Sequence, residues 1–222
     1  PILNAINFLT VPLVPPPAED KGMSVRELLS SKLLWMALLL MTCAGASELA
    51  MSQWASLFAE KSLGISKVMG DLLGPCMFAV LMGTGRLLYG LYGNRLRIQS
   101  ALMGCAAVCV LSYLLASLSP YPMLSLVGCA LCGLSVSLMW PGVFSLSAAS
   151  FKRGGTAMFA LLAMFGDLGC SLGPWLTGVM SDAAQSSAAI TMDSLKFGVL
   201  VGTVFPLIML GLLALLRRRK TE

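Results

Sequence analysis

Six long apolar stretches, each separated from the next by a few polar or basic residues, make up most of the chain. A transmembrane helix needs about 20 mainly apolar residues to cross the hydrocarbon core, and all six stretches reach that length. The runs lack the period-two alternation of a membrane barrel, and lipid does not tolerate open sheet edges. The pattern predicts an all-α membrane protein with six transmembrane helices at about 32–58, 68–92, 98–118, 123–148, 155–180 and 196–216. Residues 1–31 read as a linker, proline-rich at Pro12 and Pro15–Pro17 and polar at Glu19, Asp20 and Lys21, with the end of an earlier apolar segment before it. Ser24 and Glu27 have the spacing of a capping box, which predicts a helix that runs on into the first span.

The breaks between spans alternate in character. Gly64 and Ser66 suit a short turn with Ser66 as helix cap, and Ser119–Pro122 is a tight Ser-Pro-Tyr-Pro turn. Residues 182–196 form a longer polar loop. The cations sort unevenly between the two ends of the bundle. Lys21, Arg26, Lys32, Arg86, Arg95, Arg97, Lys152, Arg153, Arg217, Arg218, Arg219 and Lys220 fall at one end, and only Lys61, Lys67 and Lys196 at the other. Twelve against three, with an even number of spans, predicts that both termini are cytoplasmic in a cell-membrane protein. Residues 217–222 are then a basic cytoplasmic tail.

Composition narrows the class. Charged residues are 11% of the 222, against roughly 25% in a soluble domain, so a water-facing surface is out of reach. The net charge of +5 is accounted for by topology and does not suggest nucleic acid. The chain has no histidine, which excludes serine–histidine proteases, H-E-x-x-H zinc sites and histidine-ligated haem. All seven cysteines fall within spans, and the Cys129/Cys132 C-x-x-C has no basic neighbour. They read as apolar fillers, with no disulfide, metal or cofactor role. The chain opens on Pro1 without a signal peptide and is expected to be part of a longer protein.

Two acids stand out because they sit mid-span. Glu48 lies in LLLMTCAGASELAMSQWASLF and Asp167 in FALLAMFGDLGCSLGPWLTGVM. An ionisable group at bilayer depth costs about 2.5–3.5 kcal/mol or more on insertion scales, and such groups commonly mark a path for a polar solute or ion. Glu48 shares its helical face with Gly45, Ser52 and Ala55 and suits solute or proton handling, or a structural ion pair. Asp167 suits a cavity wall, or a pair with Arg86 or with a backbone amide. Asp71 is placed in a first turn, where the helix dipole favours an acid. Arg86 is near enough to a helix end to snorkel. Trp54 suits an interfacial belt or a stacking platform. Gly169 and Gly173 form a small-xxx-small face, and Pro174 frees a carbonyl that protein or a wet cavity must cover.

The second span ends Gly83-Thr-Gly-Arg86-Leu-Leu-Tyr-Gly90-Leu-Tyr-Gly-Asn94-Arg95-Leu-Arg97. This stretch resembles the cytoplasmic loop motif of the major facilitator superfamily, a glycine followed four residues later by an acid and then by basic residues. Gly90 and Arg95 match, Asn94 stands where the acid is usual, and the later glycine is missing. The motif's physical use is close helix packing at the glycine and cationic contacts at the lipid face. The fifth span, with Gly166-Asp167-Leu-Gly169 and Gly173-Pro174, and the fourth, with Trp140-Pro141 beside Ser135, Ser137 and Ser145, are similar to late helices of that superfamily. The chain is identified on these grounds as its C-terminal six-helix half.

The resemblance implies two inverted three-helix repeats, with Gly70-Asp71-Leu-Leu-Gly74-Pro75 as a faint counterpart of the fifth span. It also implies a central cavity completed by an N-terminal half. The first and fourth spans would line that cavity, which makes Glu48, Gln53, Ser137, Trp140 and Asp167 the candidates for binding solute or proton. Arg86, Gly90, Asn94, Arg95, Gly169, Gly173 and Pro174 would be structural. A midplane glutamate among polar neighbours resembles the sugar-type proton symporters of the group, fucose-permease-like proteins among them. The implied function is secondary active transport of a small polar solute, coupled to proton or sodium, by alternating access.

Two rivals remain open. The membrane domain of an ATP-driven exporter would need long cytoplasmic helix extensions, and no phosphate-loop motif occurs in the chain. A histidine-independent intramembrane enzyme could rest only on the Glu48/Asp167 pair.

Overall fold

A computed structural model of the chain describes residues 2–12, 22–93, 96–187 and 190–219. These residues contain helices and no strands. Six helices are long and apolar enough to cross a membrane: Lys32–Lys61, Lys67–Tyr92, Ile98–Leu118, Pro122–Ser150, Gly155–Ser186 and Ser194–Arg217. They are referred to below as the first to sixth spans. The predicted six-helix architecture holds. The fifth span continues past its expected end at 180 because Ser181 and Ala184 remain buried, with Ser181 lying close to Gly198 of the sixth span.

The capping box forms, but its helix does not run into the first span. Ser24 N–H donates to the Glu27 carboxylate at 2.8 Å and Glu27 N–H to the Ser24 hydroxyl at 3.3 Å. The helix is a short one, Val25–Leu29, and Ser31 is already in extended backbone as the first span begins. A side chain takes up a carbonyl at this break: Trp35 Nε1 reaches back to Leu29 O at 2.8 Å. Ser30 Oγ donates to Arg26 O, which the Ser30 N–H also bonds. Donation from the Ser24 backbone first, and from its hydroxyl second, holds the Glu27 carboxyl below its ordinary range.

Proline shapes the spans from inside. The fourth span is interrupted after Val136 and resumes at Met139, and the sixth is interrupted between Gly202 and Val204. In each case a proline follows, Pro141 and Pro206, without the N–H that would bond four residues back, at Ser137 and Gly202. In the second span Pro75 sits inside a π-helical turn, Leu72–Cys76. The fifth span carries Pro174 without such a turn, so the faint Gly-Asp-Gly-Pro likeness between the two spans does not extend to their backbone. Gly64 has φ +66°, the left-handed conformation that the turn into the second span requires.

The first and fourth spans form the centre and the second and fifth the flanks. Buried residues make up 61% of the most apolar window of the first and of the fourth span, against 17% for the second and 22% for the fifth. Tyr113 of the third span is fully buried and donates its hydroxyl to Ser47 O at 2.8 Å, which ties the third span to the first. A buried phenol needs such a partner. At one end of the bundle Lys196 Nζ donates to Ser119 O at 2.8 Å, and Ser62 Oγ to Asp193 at 2.5 Å.

Candidate functional site

The first and fifth spans meet through small residues. A methyl group added at Gly169 would collide with the Thr42 carbonyl, one at Gly173 with the Ala46 carbonyl, and one at Gly45 with the Gly166 carbonyl. Thr42 Oγ1 crosses the same seam to Phe165 O at 3.1 Å. Backbone contact of this kind is the means by which helices associate where lipid removes the hydrophobic drive. Glu48 lies one turn beyond Gly45, and Asp167 lies beside Gly166. Cys170 also lies against Gly45.

The second span is held against the fourth by the same device. A methyl at Gly133 would strike Phe78 O, and one at Gly85 would strike the Ser137 side chain. Gly85 fixes the position of the next residue, Arg86. Its guanidinium lies 3.8 Å from Glu48 Oε1, with side-chain exposures of 48% for Arg86 and 16% for Glu48. The other carboxylate oxygen, Glu48 Oε2, is buried and has no hydrogen-bond partner among the described residues. Arg86 therefore takes Glu48, and not Asp167, as its partner. Asp167, Gln53 and Ser171 are exposed.

A family model described as Major Facilitator Superfamily matches residues 2–174 of the 222. The chain belongs to the major facilitator superfamily. It is a multi-pass membrane protein and a secondary transporter of small solutes. That membership favours neither the exporter domain nor the intramembrane enzyme. No curated protein matches the chain, and no solved structure does.

In this superfamily member the candidate residues fall into three groups. Glu48 and Arg86 are paired across the first and second spans, and Asp167 is exposed on the fifth. Trp140 is half-buried and covers Gly166, beside Asp167, with its ring 6.3 Å from that of Phe144. Gln53 is further along the first span, in an opening of about 400 Å³ bounded by Trp54, Leu57, Pro174 and Trp175. There Trp54 Nε1 donates to Pro174 O at 3.1 Å.

Ser137 stands apart from all of these. It is buried under Gly85 and donates to Leu134 O at 2.6 Å, which ties its hydroxyl to its own helix. A methyl at Gly90 would meet no atom within 4 Å among the described residues. Asn94 and Arg95 lie outside the described residues. Ser66 precedes its helix without a side-chain capping bond, and Ser56 hydrogen-bonds Asp71 across the first and second spans.

Tyr113 and Cys170 escaped the reading of the sequence. The first pins the carbonyl next to Glu48, and the second packs against Gly45, one turn before Glu48. A lone tyrosine in the apolar third span was the available signal, because its hydroxyl must find a partner. Among the described residues no three of Cys, Asp and Glu converge as metal ligands, and the nearest thiol pair is Cys109 and Cys132, with sulfurs 4.0 Å apart.

Proposed function

We propose that this transporter moves a small polar solute together with a proton, and that Glu48 carries the proton. One observation supports this most directly. Glu48 has one oxygen facing Arg86 and the other buried without a hydrogen-bond donor. A permanent carboxylate would leave that oxygen uncompensated, and an uncompensated charge is costly away from water. A carboxyl group that alternates between an ionised form paired to Arg86 and a neutral form released from it resolves the conflict. Because the pair joins the first and second spans, protonation would loosen them and solute binding on the open side would be felt at the acid.

On this reading the open side of the first, second, fourth and fifth spans is one wall of a cavity closed by a second six-helix bundle, which rocks against it. The apolar groove bounded by Trp35, Leu39, Phe165, Leu168 and Leu172 would carry part of that contact. The solute is inferred to be sugar-like, since Gln53 offers amide hydrogen bonds between Trp54 and Trp175, whose rings suit the apolar face of a pyranose. The basic end is inferred to be cytoplasmic and the location the cell membrane, as the Lys/Arg distribution implies.

The experiment is uptake of a panel of labelled neutral sugars into proteoliposomes with an imposed pH gradient. Uphill accumulation that Glu48→Gln abolishes, with the protein still present in the membrane, is the expected result. Accumulation by the Gln variant equal to the parent would remove Glu48 from the coupling step.

A further inference from the structure

A second cavity, of about 300 Å³, opens at the basic end of the bundle, away from Glu48 and Asp167. It lies where the first, third, fourth and sixth spans converge. Its wall is mostly apolar, with Leu33, Ala37 and Leu40 from the first span and Leu146, Phe151 and Leu216 facing them. Gln99, Ser147 and Ser150 are its polar members, and Gln99 Nε2 is already committed to Leu213 O at 3.2 Å. At about 30 Å³ for each group of water's size, the space holds a run of about ten such groups. That suits a stretch of methylenes better than a compact polar solute.

Cations lie close in sequence to the lining on all four spans. Lys32 precedes Leu33, Arg97 is two residues before Gln99, Lys152 follows Phe151 and Arg217 follows Leu216, and all four are exposed. Each of the four spans that wall the cavity thus carries an exposed cation within two residues of a lining residue. Among the described residues at this end Glu27 is the one carboxylate, and it belongs to the separate short helix Val25–Leu29. An apolar slot whose four spans each carry an exposed cation near it suits an amphiphile with an anionic head.

We propose that this crevice binds one acyl chain of an anionic phospholipid, with the phosphate held by Lys32, Arg97 and Lys152. Basic pockets between transmembrane helices recognise anionic headgroups in this way, and each cation near the surface is worth roughly a fivefold change in affinity. The chain portion adds apolar burial that a free phosphate cannot supply. An occupant here would link the ends of four spans without touching the solute side, so the site is independent of the transport reading.

The test is native mass spectrometry of the purified protein in a neutral detergent. The probes are dioleoyl-phosphatidylglycerol, dioleoyl-phosphatidylcholine with the same chains, and soluble glycerol phosphate. Phosphatidylglycerol is expected to bind several-fold more tightly than phosphatidylcholine, and glycerol phosphate is expected not to compete. The Arg97→Gln/Lys152→Gln variant should weaken phosphatidylglycerol by about 25-fold while leaving phosphatidylcholine little changed. Ser150→Trp, at the mouth, should weaken both lipids. Should the tryptophan variant fail to fold, the double glutamine variant decides alone, since both of its positions are exposed. Equal binding of the two lipids, undiminished phosphatidylglycerol binding by the double variant, or competition by glycerol phosphate would each overturn the proposal.

Discussion

Glu48 and Arg86 meet at 3.8 Å from helices of opposite character, the acid on the deeply packed first span and the arginine on the exposed second. Neither residue brings itself to this place. Tyr113 holds the carbonyl beside Glu48, and Gly85, pressed on Ser137, sets the height and direction of Arg86. The pair therefore reports the relative position of the first and second spans.

A double-mutant cycle checks that relationship. Glu48→Gln and Arg86→Gln, alone and together, should show a coupling of roughly 1 kcal/mol in thermal stability. A larger value is not expected, because the contact is long and the arginine half-exposed, so water screens it. Asp167→Asn combined with Arg86→Gln should be additive within about 0.5 kcal/mol. Coupling of Arg86 to Asp167, and not to Glu48, would reverse the assignment.

The seam between the first and fifth spans makes a sharper prediction. Gly169→Ala and Gly173→Ala must push the Thr42 or Ala46 backbone away, and overpacking of that kind costs typically 1–3 kcal/mol. Gly83→Ala and Gly90→Ala are the controls. Both sit in helix with open space beyond them, where alanine is the better helix former by about 1 kcal/mol. Melting of the purified variants in detergent should fall for the first two and hold or rise for the second two. Equal behaviour of all four would mean that the seam does not hold the bundle together.

The six spans were legible because hydrocarbon thickness imposes a length that no other class of segment matches. The mid-span acids were legible for a related reason, since lipid makes any charge conspicuous. The partner of Arg86 was not. Glu48 and Asp167 lie at similar depth, and the choice between them turns on the register of packed helices, which depends on Gly85 against Ser137 and Gly45 against Gly166. The surroundings of Ser137 were hidden for the same reason: one hydroxyl among several on a proline-broken helix, it is the one that faces Gly85. The stop at Ser30–Ser31 was hidden because both the capping box and the span beyond it are good helix, and the break depends on Trp35 reaching back to Leu29 O.

Asp167 is exposed and makes no ion pair among the described residues, so its removal should spare the fold. Asp167→Asn is expected to change melting by less than about 0.5 kcal/mol while altering the apparent affinity for solute or its pH dependence. Unchanged transport kinetics with a large loss of stability would make Asp167 a structural residue.

The last prediction concerns pH at the short helix before the first span. The Glu27 carboxyl is held below its ordinary value of 4.5 by the Ser24 backbone N–H and then by the Ser24 hydroxyl. A group whose folded pKa is depressed contributes stability that is fully present above its unfolded pKa and is lost as pH falls through the folded one. The helix Val25–Leu29 should therefore be protected near neutrality and loosen progressively below about pH 4.5. Hydrogen exchange of residues 25–31, corrected for intrinsic rates, reads this directly. Ser24→Ala removes the side-chain cap, which is worth ~1 kcal/mol of helix stability, so protection at pH 7 should drop about fivefold, while part of its acid dependence should remain because the Ser24 backbone N–H still donates to Glu27. The spans should not follow, because Leu28 alone of this helix is buried against them. If protection across 25–31 shows no acid dependence in the parent, the capping box is not what holds this helix.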